Sequence, residues 1–168
     1  MKGTFPPDRD PATLRRAVRV RTVWLVVHVH RTITVRTPAQ TVVDYLKDFA
    51  HAEAWDPGTV SCTRDGTGPI AVGAQWHNVS EFRGKKTELT YRLERLEPGR
   101  IVFVGDNKTA TSTDDLTVTE EDGTTTISYH ATIEFHGLAK LADPFLKRQF
   151  EKMGDELVPE MTKALEAL

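Results

Sequence analysis

The sequence contains one cysteine, Cys62, among 168 residues. A single cysteine excludes an intrachain disulfide framework and provides no CxxC or Cys/His zinc pattern. No apolar run approaches the roughly 20 residues that a membrane-spanning helix needs, so we expect no membrane insertion. Lys and Arg number 22 against 24 Asp and Glu, whereas nucleic-acid binders usually carry a basic excess. We therefore expect a cytoplasmic protein that binds no nucleic acid.

Signature motifs of several enzyme classes are also missing. The sequence has no GxSxG, GxxxxGK[ST], GxGxxG or HExxH motif. Cys62 lies in a predicted strand without a nearby histidine, so a catalytic thiolate has no support. What is present is a chain with 39% hydrophobic residues, long enough for one domain with its own core.

The first 25 residues differ from the rest of the chain. They hold six basic against two acidic residues, and they include Pro6, Pro7 and Pro11, which oppose regular structure. We expect a basic, flexible N-terminal extension over residues 1–25 and a single domain over residues 26–168. A mis-assigned start, an accessory segment and a cleaved targeting segment are the alternatives for the extension.

Alternating apolar and polar residues predict a strand from Val26 to Val35. Thr37, Pro38 and Gln40 then predict a helix over 38–49, with Thr37 as its N-cap and Gln40 at capping-box spacing. A second short helical turn follows and ends at 55–58.

Six more strands are predicted after these helices. They cover residues 59–65, 73–83, 86–97, 100–106, 110–120 and 124–136, separated by turn residues such as Asp122-Gly123. The connections are too short for crossover helices, so the strands should form an antiparallel meander. An apolar stripe at helical spacing predicts a long helix over 144–168, bent or weakened at Gly154 and Pro159.

This order of elements predicts an α+β helix-grip architecture. A twisted seven-stranded antiparallel sheet has a concave face that must be covered, and the long C-terminal helix is the only element able to cover it. Two short helices between strands 1 and 2 can close one end. The space between sheet and helix is the candidate ligand pocket.

The sequence resembles the START/Bet v 1-like helix-grip superfamily, specifically its bacterial polyketide cyclase/dehydrase and lipid-transport (SRPBCC) branch. The resemblance covers residues 26–168. It depends on the order and spacing of short motifs: Thr34-Val35 before Pro38-Ala39, Val42-Val43-Asp44-Tyr45-Leu46, Trp55-Asp56-Pro57, Val72-Gly73, Tyr91-Arg92-Leu93-Glu94-Arg95-Leu96-Glu97-Pro98, Arg100-Ile101-Val102-Phe103 and Gly123-Thr124-Thr125.

The resemblance implies that the protein binds a small hydrophobic ligand, lipid or polyketide-like, as a carrier or sensor. A polyketide cyclase, aromatase or dehydratase acting by proton transfer in the same cavity is the alternative. A protein-interaction module of chaperone-cofactor type is the second alternative. We expect a monomer or a homodimer.

Strand alternation places four polar side chains on the inner face: Arg31, Asp114, Tyr91 and Tyr129. A buried Arg or Asp costs several kcal/mol unless it is paired. These residues are the candidates for orienting or polarising a substrate carbonyl. A mutually paired structural network, or an error in the assumed alternation, is the alternative.

A wider set of inward and corner positions supplies candidates for contact with the ligand, with plain core packing as the alternative: Trp55, Trp76, Asn78, Tyr91, Phe103, Tyr129, Phe145, Phe150 and Met153. His28, His30 and His130 share the outer sheet face and could meet there. Because no Asp, Glu or Cys stands at a standard ligand spacing, we predict no metal and no cofactor.

Overall fold

The computed structural model describes residues 25–136 and 145–168. Its elements are β1 (Leu25–Val35), α1 (Ala39–Leu46), a 3₁₀ turn (Phe49–His51), α2 (Ala52–Trp55), β2 (Thr59–Asp65), β3 (Gln75–Phe82), β4 (Lys85–Glu97), β5 (Arg100–Asp106), β6 (Ala110–Glu121), β7 (Thr124–Phe135) and α3 (Leu146–Glu166). The strands form one antiparallel sheet in the order β1-β7-β6-β5-β4-β3-β2. The predicted helix-grip fold is confirmed. The extension expected over residues 1–25 lies outside the described residues, apart from the first residue of β1.

Two-residue turns set the register of the meander. Arg83 and Gly84 join β3 to β4, and Asp122 and Gly123 join β6 to β7. All four residues have positive φ angles, between 49° and 71°. A type I′ turn requires this geometry at both central positions, and its twist matches that of the flanking strands. The turn residues therefore explain why these strands pair with their neighbours in sequence.

The predicted N-cap of α1 is wrong. Pro38 occupies the cap position without a side-chain hydrogen bond, and the Thr37 hydroxyl donates instead to the Leu165 carbonyl of α3, at 2.7 Å. The free N–H of Ala39 donates to the Glu120 carboxylate on β6, at 2.8 Å. A residue distant in sequence thus provides the hydrogen-bond acceptor for the backbone N–H at the start of α1. The helix also ends at Leu46, short of the predicted residue 49.

Helix α3 packs its apolar face on the concave side of the sheet. Leu157, Met161 and Leu165 are buried there. Gly154 allows a close approach to β1, because a Cβ atom at this position would lie 2.5 Å from Val29 Cγ1. The helix continues through Gly154 and Pro159, although proline has no N–H to donate. None of the helices in the described ranges is long and apolar enough to cross a membrane.

Candidate functional site

A cavity of about 450 Å³ lies between the sheet and α3. This volume is in the range of small-molecule sites, roughly 300–1,000 Å³. Its walls are mainly apolar side chains from β1, β4, β7 and α3, among them Val29, Leu89, Ala131, Ile133, Phe150 and Leu157. The concave sheet and the helix therefore leave room for an apolar molecule between them.

The polar lining of the inner part of the cavity centres on Asp114 of β6. Asp114 is only 5% exposed, and the Tyr129 hydroxyl of β7 donates to its Oδ1 atom at 2.5 Å. Its Oδ2 atom makes no hydrogen bond to any residue that the structure describes. Tyr91 of β4 and Ser112 of β6 also line this region. Three strands thus bring two phenols, a hydroxyl and a carboxyl group together.

A second carboxyl group, Asp56, lines the same cavity from the turn after α2. Its Oδ1 atom accepts from the Gly58 N–H at 3.0 Å, and its Oδ2 atom accepts from the Thr59 hydroxyl at 2.7 Å. The Asp-Pro-Gly sequence that was predicted only to stop the helix therefore also positions a carboxylate beside the cavity.

Burial controls the ionisation of these groups. The pKa of Asp114 is raised to about 6: burial is the largest cause, the negative charge of Asp56 adds to it, and the hydroxyls of Tyr129, Tyr91 and Ser112 partly offset both effects. Burial also raises the pKa of Asp56. Burial and the charge of Asp114 hold the pKa values of Tyr91 and Tyr129 well above the usual phenol range. At neutral pH both phenols are protonated donors, whereas Asp114 titrates close to neutrality.

The position of Tyr91 depends on a glycine of β5. Gly105 is the cross-strand partner of Tyr91, and a Cβ atom on Gly105 would lie 2.6 Å from Cζ of the Tyr91 ring. The ring therefore occupies the space that a side chain on β5 would take. This contact helps to fix the phenol beside Asp114.

Arg31, the fourth polar candidate, is not among the residues that line the cavity. Its guanidinium faces α3 and bonds to the carboxylates of Glu151 at 2.8 Å and Asp155 at 2.9 Å. It also donates to the Glu151 backbone carbonyl. The structure therefore brings Asp114, Tyr91 and Tyr129 together and places Arg31 in a separate link between β1 and α3.

Four of the predicted ligand-contact residues line the cavity, namely Tyr91, Tyr129, Phe150 and Met153. Phe145 does not line it and is 61% exposed. Asn78 is buried away from it and bonds to Thr59 and Ser80.

The large aromatic candidates Trp55, Trp76 and Phe103 pack around Phe49 in the core, at ring distances of 4.6–6.5 Å, and do not line the cavity. The Trp76 indole donates to Asp48 at 2.8 Å. The Trp55 indole N–H has no acceptor among the described residues.

Several lining residues were not selected from the sequence. Ala131 and Ile133 share the strand alternation of Tyr129, so the pattern of β7 could have identified them. Phe82 shares the strand alternation of Trp76 and Asn78 on β3, so the same reasoning could have identified it.

The rim of the cavity is formed where the β3–β4 turn meets the first turns of α3. The Phe82 and Phe150 rings stack, with centroids 4.8 Å apart and planes 9° apart. Beside them Arg83 donates to the side-chain carbonyl of Gln149. Arg83 and Lys85 are the basic residues in the described lining, and both belong to this rim.

The sequence suggested that three histidine side chains could come together on the outer face of the sheet. His30 and His130 do adjoin, with ring centroids 4.2 Å apart, whereas His28 bonds to Thr132. Within the described ranges, no group of three or more His, Cys, Asp or Glu is arranged to hold a metal ion. Burial raises the pKa of Cys62 to about 11, so this thiol is protonated at neutral pH.

Comparison with known proteins gives a family match over most of the chain. A family model described as polyketide cyclase / dehydrase and lipid transport matches residues 26–168. No curated protein matches the sequence.

Solved structures share the fold at low sequence identity. A START superfamily protein from Mycobacterium smegmatis has a TM-score of 0.69 at 14% identity, over 83% of this chain and 97% of that one. The di-domain ARO/CYC proteins BexL, of the BE-7585A biosynthetic pathway, and StfQ, of the steffimycin pathway, have TM-scores of 0.62 and 0.65 at 18% and 13% identity. They match 86% and 85% of this chain, which spans about half (51%) of each of them.

Proposed function

The chain belongs to the polyketide cyclase/dehydrase and lipid transport family of the START-like superfamily, and on this basis we propose that it binds a small hydrophobic molecule as a carrier or sensor. The observation that carries the proposal is the 450 Å³ cavity, whose walls are mainly apolar and whose carboxyl and phenol groups gather around Asp114. A cytoplasmic location and a monomeric or homodimeric state stay predictions from the sequence.

The apolar walls provide the driving force for binding. Each 100 Å² of apolar ligand surface removed from water contributes about 2.5 kcal/mol. The polar group around Asp114 would fix the orientation of the ligand, because a ligand that leaves these buried groups without partners loses affinity.

A pair of substitutions on one strand tests the proposal. Ala131 lines the cavity between its register partners Val29 and Asp114, so Ala131→Phe should fill the cavity. Thr132→Phe adds the same side chain on the opposite face of the sheet. We expect the neutral probe N-phenyl-1-naphthylamine to bind the wild-type protein and Thr132→Phe, with a rise in fluorescence, and to bind Ala131→Phe at least about tenfold more weakly.

Melting curves of both variants check that the fold is retained. The proposal fails if the wild-type protein does not bind the probe, or if a folded Ala131→Phe variant binds it as tightly as the wild type.

A second candidate function is proton transfer on a bound ketone, as in a cyclase or dehydratase. It is favoured by the carboxyl group of Asp114, whose pKa is raised to about 6 and which accepts a hydrogen bond from Tyr129. A group that titrates near neutral pH can both take up and release a proton. We expect such an enzyme to speed deuterium exchange at the α-carbon of 2-tetralone, and Asp114→Asn to abolish the acceleration. Exchange at the uncatalysed rate with the wild-type protein would exclude this function for simple ketones.

A further inference from the structure

Two carboxyl groups lie beside the cavity without an ion-pair partner in the part of the chain that the structure describes. Asp114 and Asp56 both line it, and they are close enough for the charge of one to raise the pKa of the other. Among the described residues, neither carboxyl group forms an ion pair with a lysine, arginine or histidine. The basic residues of the described lining lie at the rim, Arg83 in the β3–β4 turn and Lys85 at the start of β4.

The Asp114 carboxyl group lacks a partner for one of its oxygen atoms. A buried carboxylate is costly unless it is paired with a cation or fully hydrogen-bonded. Asp56 receives two hydrogen bonds from its own turn. Asp114 accepts from Tyr129 at Oδ1 and has the Tyr91 and Ser112 hydroxyls nearby, but its Oδ2 atom has no hydrogen-bond partner among the described residues. The phenol rings of Tyr91 and Tyr129 beside Asp114 are also surfaces to which cations are attracted. A positively charged ligand group would satisfy all of these features at once.

We propose that the ligand is a hydrophobic amine, whose protonated nitrogen binds Asp114 and faces Asp56 while its apolar body fills the cavity toward Phe150. This inference rests on the proposed ligand-binding function and names its chemical class. An anionic ligand would meet the two carboxylates and be repelled. An alcohol could donate to Asp114 but would leave the charges uncompensated, and charge-assisted hydrogen bonds are about twice as strong as neutral ones.

The proposal also predicts how binding depends on pH. Below about pH 6 the carboxyl group of Asp114 takes up a proton, so amine binding should weaken there. The phenols stay protonated throughout this range, because their pKa values are raised. The charged and titratable groups that face Asp114 from the surrounding elements are Asp56 after α2, Tyr91 on β4, Tyr129 on β7 and, beyond Tyr129, Arg31 on β1 with its partners Glu151 and Asp155 on α3.

Three probes that share one aromatic body test the inference on the full-length protein. They are 2-naphthylmethylamine, 2-naphthylmethanol and 2-naphthoate, titrated calorimetrically at pH 7.5 and at pH 5. At pH 7.5 we expect the amine to have a Kd about tenfold lower than the alcohol, and the carboxylate to bind most weakly. The advantage of the amine should shrink at pH 5.

Asp114→Asn is the matched variant, because the amide oxygen can still accept from Tyr129 while the charge is lost. We expect the ratio of the alcohol Kd to the amine Kd to fall from about ten to about one. Ala131→Phe should weaken all three probes, which separates binding in the cavity from binding to surface carboxylates.

The outcomes separate this inference from the function on which it rests. If the alcohol binds the wild-type protein as tightly as the amine, or if Asp114→Asn keeps the amine preference, the inference is overturned and the cavity still binds hydrophobic molecules. If neither these probes nor N-phenyl-1-naphthylamine binds, the proposed function itself fails.

Discussion

Replacing Asp114 with asparagine should change how the stability of the protein depends on pH. The pKa of this carboxyl group is raised from 3.8 to about 6, mainly by burial. The folded state therefore holds the proton more firmly than the unfolded chain does. The stabilisation from this proton is complete below pH 3.8 and is lost as the pH rises through 6. Asparagine does not ionise in this pH range, so the stability of the variant does not fall with rising pH for this reason.

The size of the effect follows from the shift. A difference of about two pKa units corresponds to about 3 kcal/mol in the free energy of unfolding. About 2 kcal/mol of this should be lost between pH 4.5 and pH 8, because part of it is already gone at pH 4.5. Over this interval the wild-type protein should lose about 2 kcal/mol more stability than Asp114→Asn does.

Urea denaturation followed by circular dichroism, at half-unit steps of pH, measures this difference. Glu134→Gln is the control, because it removes one carboxylate from an exposed position on β7. We expect the control and the wild-type protein to give parallel profiles. Parallel profiles for Asp114→Asn and the wild type would refute the reasoning, since they would mean that the Asp114 carboxyl group titrates alike in the folded and unfolded states.

Three further predictions concern packing and domain limits. Gly154→Ala should destabilise the protein by about 1–3 kcal/mol in urea denaturation, because its Cβ would lie 2.5 Å from Val29 Cγ1; an unchanged midpoint would contradict this contact. Trp76→Phe should cost about 1–3 kcal/mol, since it removes the hydrogen bond to Asp48, and equal stability would contradict that. A chain that starts at Val26 should keep the full melting temperature, and a drop of several degrees would indicate that the preceding residues pack on the domain.

Local patterns were sufficient to predict most of the strands. The alternation of side chains and the turn residues predicted strands at 59–65 and 100–106. The first and last residues of both strands agree with the structure. Such features depend on neighbours in sequence. The N-cap at Thr37 was wrong for the opposite reason, because Leu165 and Glu120, which replace the expected contacts, are far away along the chain.

The candidate site was predictable only in part. Strand alternation placed Asp114 and Tyr129 on the inner face, and the structure joins them by a hydrogen bond. Alternation cannot tell where along the inner face the cavity lies. Phe103 is the cross-strand partner of Asp114, yet it packs against Phe49 in the core, whereas Asp114 lines the cavity. That distinction depends on where the two short helices and α3 cover the sheet.

The contact between Tyr91 and Gly105 has a consequence for the evolution of the family. Because the Tyr91 ring fills the volume beside Gly105, a lineage that gains a side chain at position 105 must shorten the residue at position 91. It then loses a phenol next to Asp114 as well. The two positions should therefore covary among relatives, and an alanine or larger residue at 105 should mark proteins that select a different ligand, although position 105 itself does not line the cavity.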